Sequence, residues 1–130
     1  MARILYLDDE EPLVFLATRM LKFLKHEAEG FTRAADALAA FQSKPDAFDL
    51  VLTDLSMPYM GGLEFAKQIL AIRPDAAVVV ATGCIEPRDE EAARALGVLD
   101  VVMKPGTIED MARTVDELLK KTETVTTDGR

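Results

Sequence analysis

The chain has 130 residues, of which 49% are hydrophobic and 29% are charged, and its formal net charge is −8. This length suits one domain with a single core, and the acidic balance argues against a nucleic-acid binder, which needs patches of lysine and arginine. The single cysteine, Cys84, excludes an internal disulfide and a multi-cysteine zinc site, and apolar runs of about six residues are too short to span a membrane, so we expect a cytoplasmic protein.

Strand-like and helix-like segments alternate along the chain. The strand-like segments are mostly apolar runs, as is typical of strands that are buried on both faces. The helix-like segments carry apolar residues at helical spacing. In chain order the predicted strands are residues 3–7, 27–31, 49–53, 76–81 and 98–103, and the predicted helices are residues 12–25, 34–41, 63–70, 87–96 and 108–119.

This alternation predicts an α/β fold in which a parallel sheet is covered on both faces and the crossovers are right-handed. Gly97 is placed to end the fourth helix, and Thr107 is placed to cap the start of the fifth. We expect residues 1–121 to form the folded domain. Residues 122–130 are polar and rich in threonine, which predicts a flexible C-terminal tail or a linker stump.

Chemically active side chains follow four of the predicted strands. Asp8 and Asp9 follow the first strand, Asp54 the third, Thr82 the fourth and Lys104 the fifth. Open α/β folds place their chemistry at this edge of the sheet. Crowded carboxylates repel one another, and a small hard cation such as Mg²⁺ relieves that repulsion. With a lysine and a hydroxyl nearby, the set suits a carboxylate nucleophile, which predicts an aspartyl phosphate at Asp54.

Each of these residues also has a plainer interpretation. An aspartate at the end of a strand is often only a helix cap or a turn former. Thr82 taken alone is more often a loop hydroxyl than a ligand, and Lys104 taken alone is more often a solvated surface lysine. The spacing of the whole set, rather than any single member, favours the functional interpretation.

In these motifs the chain resembles the receiver domain of two-component response regulators, and the resemblance covers residues 3–121. It implies a flavodoxin-like (βα)5 fold, with a doubly wound sheet of five parallel strands in the order 2-1-3-4-5. The matching residues are Asp8-Asp9-Glu10, Asp54 with Met57-Pro58 and Gly61-Gly62, Thr82, and Lys104-Pro105.

The resemblance also implies a role for each acid. Asp54 is the residue that becomes phosphorylated. Mg²⁺ is the implied cofactor, held by Asp9, Asp54 and the carbonyl of Ser56, with Asp8 assisting through water. These residues match the family's motif one by one, so we expect all four at one metal site.

The same resemblance implies that Thr82 and Lys104 contact the phosphoryl group and couple it to the face formed by the fourth helix, the fifth strand and the fifth helix. A cis peptide bond before Pro105 is expected as well. Two positions depart from the family pattern. Val101 stands where an aromatic residue often acts as a rotamer switch, and Gly106 stands where a phenylalanine commonly follows.

A third departure lies after the fourth strand. Thr82-Gly83-Cys84 replaces the more frequent Thr-Ala or Ser-Ala start, a variant that resembles receivers attached to hybrid histidine kinases. By the resemblance, Cys84 lies beside the phosphoryl site, where it and Ser56 would tune the rate of hydrolysis. A plain packing role for Cys84 is an equally good interpretation.

We expect a signalling protein, not an enzyme, that takes a phosphoryl group from a phosphohistidine on a histidine kinase or a histidine phosphotransfer protein. The first helix, with Arg19, Lys22 and Lys25, is the expected docking surface. The expected target is a downstream effector or a covalently linked output domain, whereas nucleic acid and membrane are not expected partners. The sequence leaves the oligomeric state open.

Two alternatives come from other functional classes. A phosphate-independent interaction module, or pseudo-receiver, is less favoured because the acidic, hydroxyl and lysine groups are all present. A Mg²⁺-dependent aspartyl phosphatase similar to the haloacid dehalogenase family needs a second aspartate two positions after the nucleophile. Ser56 occupies that position here.

Overall fold

The computed structural model describes the backbone of residues 2–129 and the side chains of residues 2–123. Strands and helices alternate along the described residues, in the predicted order. They are β1 (Arg3–Leu7), α1 (Glu11–Phe23), β2 (Glu27–Phe31), α2 (Ala34–Ser43), β3 (Leu50–Asp54), α3 (Gly62–Ile72), β4 (Val78–Thr82), α4 (Pro87–Leu96), β5 (Asp100–Met103) and α5 (Ile108–Gly129).

All five strands form one parallel sheet in the order β2-β1-β3-β4-β5. The prediction of a doubly wound α/β sheet is therefore confirmed. The winding reverses between β1 and β3, which is where such sheets form their ligand sites. In the ladder, Asp54 lies opposite Ala81 and Thr82 lies opposite Met103. The carboxyl ends of the central strands therefore meet at one edge.

Each face of the sheet carries its own apolar layer. On one face, α2, α3 and α4 contribute Phe41, Phe65 and Ala93 to the layer. On the other face, α1 and α5 contribute Leu21 and Val115. All five residues of β4 are buried, which explains why that strand is apolar almost throughout. Ala93 is the one fully buried residue of α4, so α4 is weakly anchored.

The last helix is longer than the sequence predicts. α5 continues to Gly129, so the backbone of residues 122–129 is helical where we expect a tail. The chain has no proline or glycine from Ile108 to Asp128, so no residue in that stretch breaks the helix. The division of the chain at Lys121 into a domain and a linker stump stays a prediction. Among the described residues, no helix combines the length and the apolar character that crossing a membrane requires.

Gly62 begins α3 in close contact with the end of β3. A Cβ atom at this position would lie 2.2 Å from the carbonyl oxygen of Asp54 and 2.9 Å from the Cα atom of Leu55. Both are backbone atoms, which cannot move aside as the end of a side chain can, so only glycine fits. The amide of Gly62 also donates to the carbonyl of Leu55 at 2.8 Å. This contact fixes the loop that follows Asp54.

We expect Gly62→Ala to lower the free energy of unfolding by at least about 2 kcal/mol, because the added methyl group overpacks the end of β3. Urea denaturation measures the change. Gly83→Ala is the matched control, since its Cβ would meet no atom within 4 Å, and it should change stability by less than about 0.5 kcal/mol. Equal stability of the two variants would show that the close packing of Gly62 on Asp54 is dispensable.

Candidate functional site

Three carboxylates converge at the carboxyl edge of the sheet. Asp8 and Asp9 directly follow β1, and Asp54 is the last residue of β3. One oxygen of each acid lies within 4.8 Å of the other two. Asp8 is fully buried and Asp54 is 7% exposed, whereas Asp9 faces solvent. The structure thus brings the three candidate acids together, with Asp9 on the open side.

Lys104 joins two of these carboxylates. Its Nζ atom lies 3.0 Å from Oδ2 of Asp8 and 3.1 Å from Oδ1 of Asp54. Burial lowers the pKa of Lys104, but its hydrogen bonds to Asp8 and Asp54, together with their negative charges, outweigh burial and raise the pKa above its ordinary value. The lysine is therefore a fixed positive charge between two acids that come from different strands.

The peptide bond between Lys104 and Pro105 is trans, as are all the peptide bonds of the described residues. The expected cis bond is therefore wrong. Trans is the intrinsically favoured isomer before proline, and the backbone around Lys104 is held in another way. Its amide donates to the carbonyl of Thr82 at 2.8 Å, which prolongs the ladder between β4 and β5 as far as the lysine.

The surroundings of Asp54 disfavour the ionised form of its carboxyl group. Burial is the largest influence and raises the pKa of Asp54. The hydrogen bond from Lys104 lowers that pKa, while the charges of Asp8 and Asp9 raise it, and the net shift is upward. Burial, more than the neighbouring charges, therefore disfavours the ionised form of Asp54.

The donor set fits a hard divalent cation. Carboxylate oxygens are the ligands that Mg²⁺ prefers, and these three lie close enough to share one ion. Asp8 already accepts from the amide of Glu10 at 3.0 Å and from Lys104 at 3.0 Å. Asp9 and Asp54 are therefore better placed for direct ligation than Asp8. Ser56, whose carbonyl is the remaining expected ligand, lies in an exposed part of the loop after β3.

The hydroxyl of Thr82 is engaged in its own loop. It donates to the carbonyl of Cys84 at 3.1 Å and accepts from the amide of Cys84 at 3.2 Å. This local turn is the plainer role that a strand-end hydroxyl can have, and it leaves Thr82 at the same sheet edge as Asp54. The Cys84 side chain is exposed, so the interpretation of Cys84 as a packing residue is wrong.

Two further residues affect Asp54 and its neighbours, and the sequence did not indicate either. Tyr6 is buried two positions before Asp8, and burial, followed by the charge of Asp8, raises the pKa of its phenol to about 12. The hydroxyl of Thr53 donates to the carbonyl of Asp54 at 3.0 Å. Both residues lie inside buried strands, where an aromatic or β-branched side chain carries no signal that separates a site from ordinary packing.

The first helix presents an apolar and basic surface. Phe15 and Phe23 of α1 are 63% and 73% exposed. The guanidinium of Arg19 lies 5.3 Å from the centroid of the Phe15 ring, and Lys22 faces solvent. The helix ends at Phe23, so Lys25 lies outside it, with a φ of 75°. The surface that we expected from its charges is thus apolar as well as basic.

Known proteins resemble this chain in sequence. The profile of the response regulator receiver domain matches residues 4–116. The response regulator receiver protein CpdR of Brucella abortus is 30% identical over 123 residues, which are 92% of this chain and 98% of CpdR. A protein-glutamate methylesterase/protein-glutamine glutaminase of Anaeromyxobacter dehalogenans is 34% identical over 129 residues, which are 91% of this chain but 35% of that protein. The chain therefore spans nearly all of one relative and about a third of the other.

Solved structures show the same fold. A CheY-like receiver domain protein from Methanospirillum hungatei has a TM-score of 0.84 and 26% identity, over 95% of this chain and 98% of that one. A receiver domain protein from Clostridium thermocellum has a TM-score of 0.85 and 24% identity, over 96% and 99% of the two chains. The family profile matches most of the chain, a relative of nearly equal length is 30% identical, and the strand order is the one that the resemblance implied. The protein therefore belongs to the response regulator receiver domain family.

Proposed function

We propose that this chain is a phosphoacceptor of two-component signalling, which takes a phosphoryl group onto Asp54 and switches a protein-interaction surface. The observation that carries the proposal is the bridge from Lys104 to Asp8 and Asp54 within a cluster of three acids. A carboxylate nucleophile, a fixed positive charge and an exposed acid for a metal ion then converge on one point. Membership of the receiver family supports this function.

In the proposed reaction, an oxygen of Asp54 attacks the phosphorus atom of a phosphohistidine. The new P–O bond forms as the P–N bond breaks, and the imidazole leaves with the electron pair. Lys104 exchanges one of its two carboxylate contacts for a phosphoryl oxygen. The Thr82 hydroxyl turns from the carbonyl of Cys84 towards a second phosphoryl oxygen. Both groups then stabilise the charge of the transferred group.

Asp9, Asp54 and the carbonyl of Ser56 would hold Mg²⁺, with Asp8 assisting through water. When bound, the ion offsets negative charge on the acids and on the phosphoryl oxygens. The clustering of three acids around a single lysine supports a cation at this place. The chain in this proposal changes only its own phosphorylation state, so it is a signalling receiver and not an enzyme that acts on other substrates.

The donor in this proposal is a histidine kinase or a histidine phosphotransfer protein, and α1 is its docking surface. Several exposed large apolar side chains on one helix favour an interaction site, and α1 carries Phe15, Leu16 and Phe23. Arg19 and Lys22 suit an acidic partner. The target is a downstream effector or a linked output domain. The exposed Cys84 thiol fits a location in the reducing cytoplasm.

Incubation with Mg²⁺ and acetyl phosphate should add one phosphoryl group, as measured by intact mass. Asp54→Asn should abolish the adduct because an amide does not attack phosphorus. Asp9→Asn should lower the rate at least about tenfold because a metal ligand is lost. Asp46→Asn changes an exposed aspartate after α2 and should behave as the wild type. Full labelling of Asp54→Asn would contradict the proposal.

The raised pKa of Asp54 predicts how stability depends on pH. As pH rises from the ordinary carboxyl pKa to the raised one, the unfolded chain loses the proton first, so the fold loses stability. We therefore expect Asp54→Asn to be more stable than the wild type at neutral pH, with a difference that shrinks as pH falls towards about 4. Mg²⁺ should stabilise the wild type but not the variant. Urea denaturation tests both points, and a less stable variant at neutral pH would show that the Lys104 pair outweighs burial.

The double variant Phe15→Ser/Phe23→Ser should slow phosphoryl transfer from a phosphorylated histidine phosphotransfer protein by at least about tenfold, because two apolar anchors are lost from the docking surface. Labelling by acetyl phosphate should not change, since neither residue contacts the acids. Met103→Ser removes another exposed apolar side chain, at the end of β5, and should transfer at the wild-type rate. Unchanged transfer to the double variant would place the docking surface elsewhere.

A further inference from the structure

A cavity of about 590 Å³ lies between the loop after β2 and the loop after β3. This volume falls within the range of about 300–1,000 Å³ that is usual for small-molecule sites. Most of its wall is apolar, and the polar side chains stand at few positions. The lining residues are Asp9, Thr32, Arg33, Ala34, Ala35, Met57, Pro58, Tyr59 and Met60.

The cavity adjoins the phosphoacceptor site through Asp9. The Asp9 side chain lines the cavity and also supplies one of the three oxygens that lie within 4.8 Å of one another. Asp54 supplies another of those oxygens. A molecule whose phosphorus atom lies at Asp54 is therefore within reach of the cavity with a substituent of a few atoms.

A strained turn builds one wall of the cavity. The amide of Met60 donates to the carbonyl of Pro58 at 2.7 Å, across a single residue, Tyr59, whose φ is 70°. A γ-turn with positive φ is rare and strained, and for a bulky residue such a φ is an outlier. The Tyr59 side chain is fully exposed, so packing of the ring does not explain this turn. Strain of this kind is concentrated at functional sites.

Arg33 supplies a positive charge at the cavity, where Asp9 supplies a negative one. Its guanidinium makes no ion pair with any side chain of residues 2–123, unlike Arg3, Arg73 and Arg94. Arg33 precedes the first turn of α2, whose N-terminal amides also favour an anion. The cavity thus joins an apolar wall of methionine, proline and alanine to one group that binds carboxylates well.

We propose that this cavity receives the organic group of small acyl phosphates, so that the chain takes phosphoryl groups from donors with aliphatic acyl chains longer than acetyl. The inference rests on the proposed phosphorylation of Asp54. In such a donor the acyl group is joined to phosphorus through one oxygen and continues into the alkyl chain. With the phosphoryl group at Asp54 and Lys104, the alkyl chain would lie in the cavity against Met57 and Met60. Arg33, on the cavity wall, can pair with the carboxylate once it is released.

The reaction is a simple phosphoryl transfer. A P–O bond forms between Asp54 and phosphorus, and the bond from phosphorus to the bridging oxygen of the donor breaks. The electron pair leaves with that oxygen, so the products are the aspartyl phosphate and a free carboxylate. No oxidant and no additional proton is required. The released carboxylate can then pair with Arg33 on the cavity wall.

The test compares butyryl phosphate with acetyl phosphate on the full chain with Mg²⁺, with the initial rate of labelling measured by intact mass. The two leaving carboxylates have nearly the same basicity, so the donors differ mainly in alkyl length. A fully buried methylene is worth about a factor of four, and we expect butyryl phosphate to react about tenfold faster at equal, low concentration. Ala35→Leu, which narrows the cavity, should lower the butyryl phosphate rate towards that of acetyl phosphate and so remove the preference.

Ala39→Leu is the matched control, because Ala39 is exposed on the same helix but does not line the cavity. It should keep the preference for butyryl phosphate. Equal rates with both donors, with Asp54 labelled, would overturn this inference and leave the proposed function intact. A preference that survives Ala35→Leu would also overturn it. No labelling by either donor would overturn the proposed function, and this inference with it.

Discussion

The bridge from Lys104 to Asp8 and Asp54 is the interaction on which the rest of the site depends. A fully buried carboxylate such as Asp8 is costly unless a charged partner compensates it. The compensating lysine comes from the end of β5, two strands away from β3 and three from β1 in the sheet. The bridge therefore forms only when the whole parallel sheet is in register. Folding of the sheet and assembly of the site therefore depend on each other. The strand pairing that aligns the sheet also brings Lys104 to the acids.

The sequence predicted the position of the site because of the same geometry. In a parallel sheet every carboxyl end lies at one edge, so acids and a lysine at the ends of apolar runs must meet there. Asp54 and Lys104 were identified in this way, and the structure brings them to 3.1 Å. The strand order came from the resemblance and not from the apolar pattern, since periodicity shows that strands exist but not which strands are neighbours.

Other features could not be predicted from the sequence. They depend on backbone atoms that come close only in the fold, or on which of two partners a side chain bonds. Glycine is needed at position 62 because a Cβ atom there would lie 2.2 Å from the carbonyl oxygen of Asp54. In the sequence, a Gly-Gly pair indicates only a turn. The γ-turn at Tyr59 contradicts the conformational preference of that residue, so no propensity argument finds it. The hydroxyl of Thr82 had two possible partners, and without a phosphoryl group the carbonyl of Cys84 is its partner. Strand-end position alone does not decide between them.

The engagement of Thr82 bears on how this receiver would pass on its state. Val101 is buried in the same apolar layer as Ala93 of α4, so no aromatic ring stands there to follow a movement of the hydroxyl. The hydroxyl instead holds the start of the loop between β4 and α4 through its two hydrogen bonds with Cys84. If Thr82 turns to a phosphoryl oxygen, as the proposed function requires, that loop loses the hydrogen bond that the hydroxyl donates to the carbonyl of Cys84. Because α4 is weakly anchored, releasing the loop moves the helix at low cost, and α4 becomes the element through which phosphorylation reaches the interaction face.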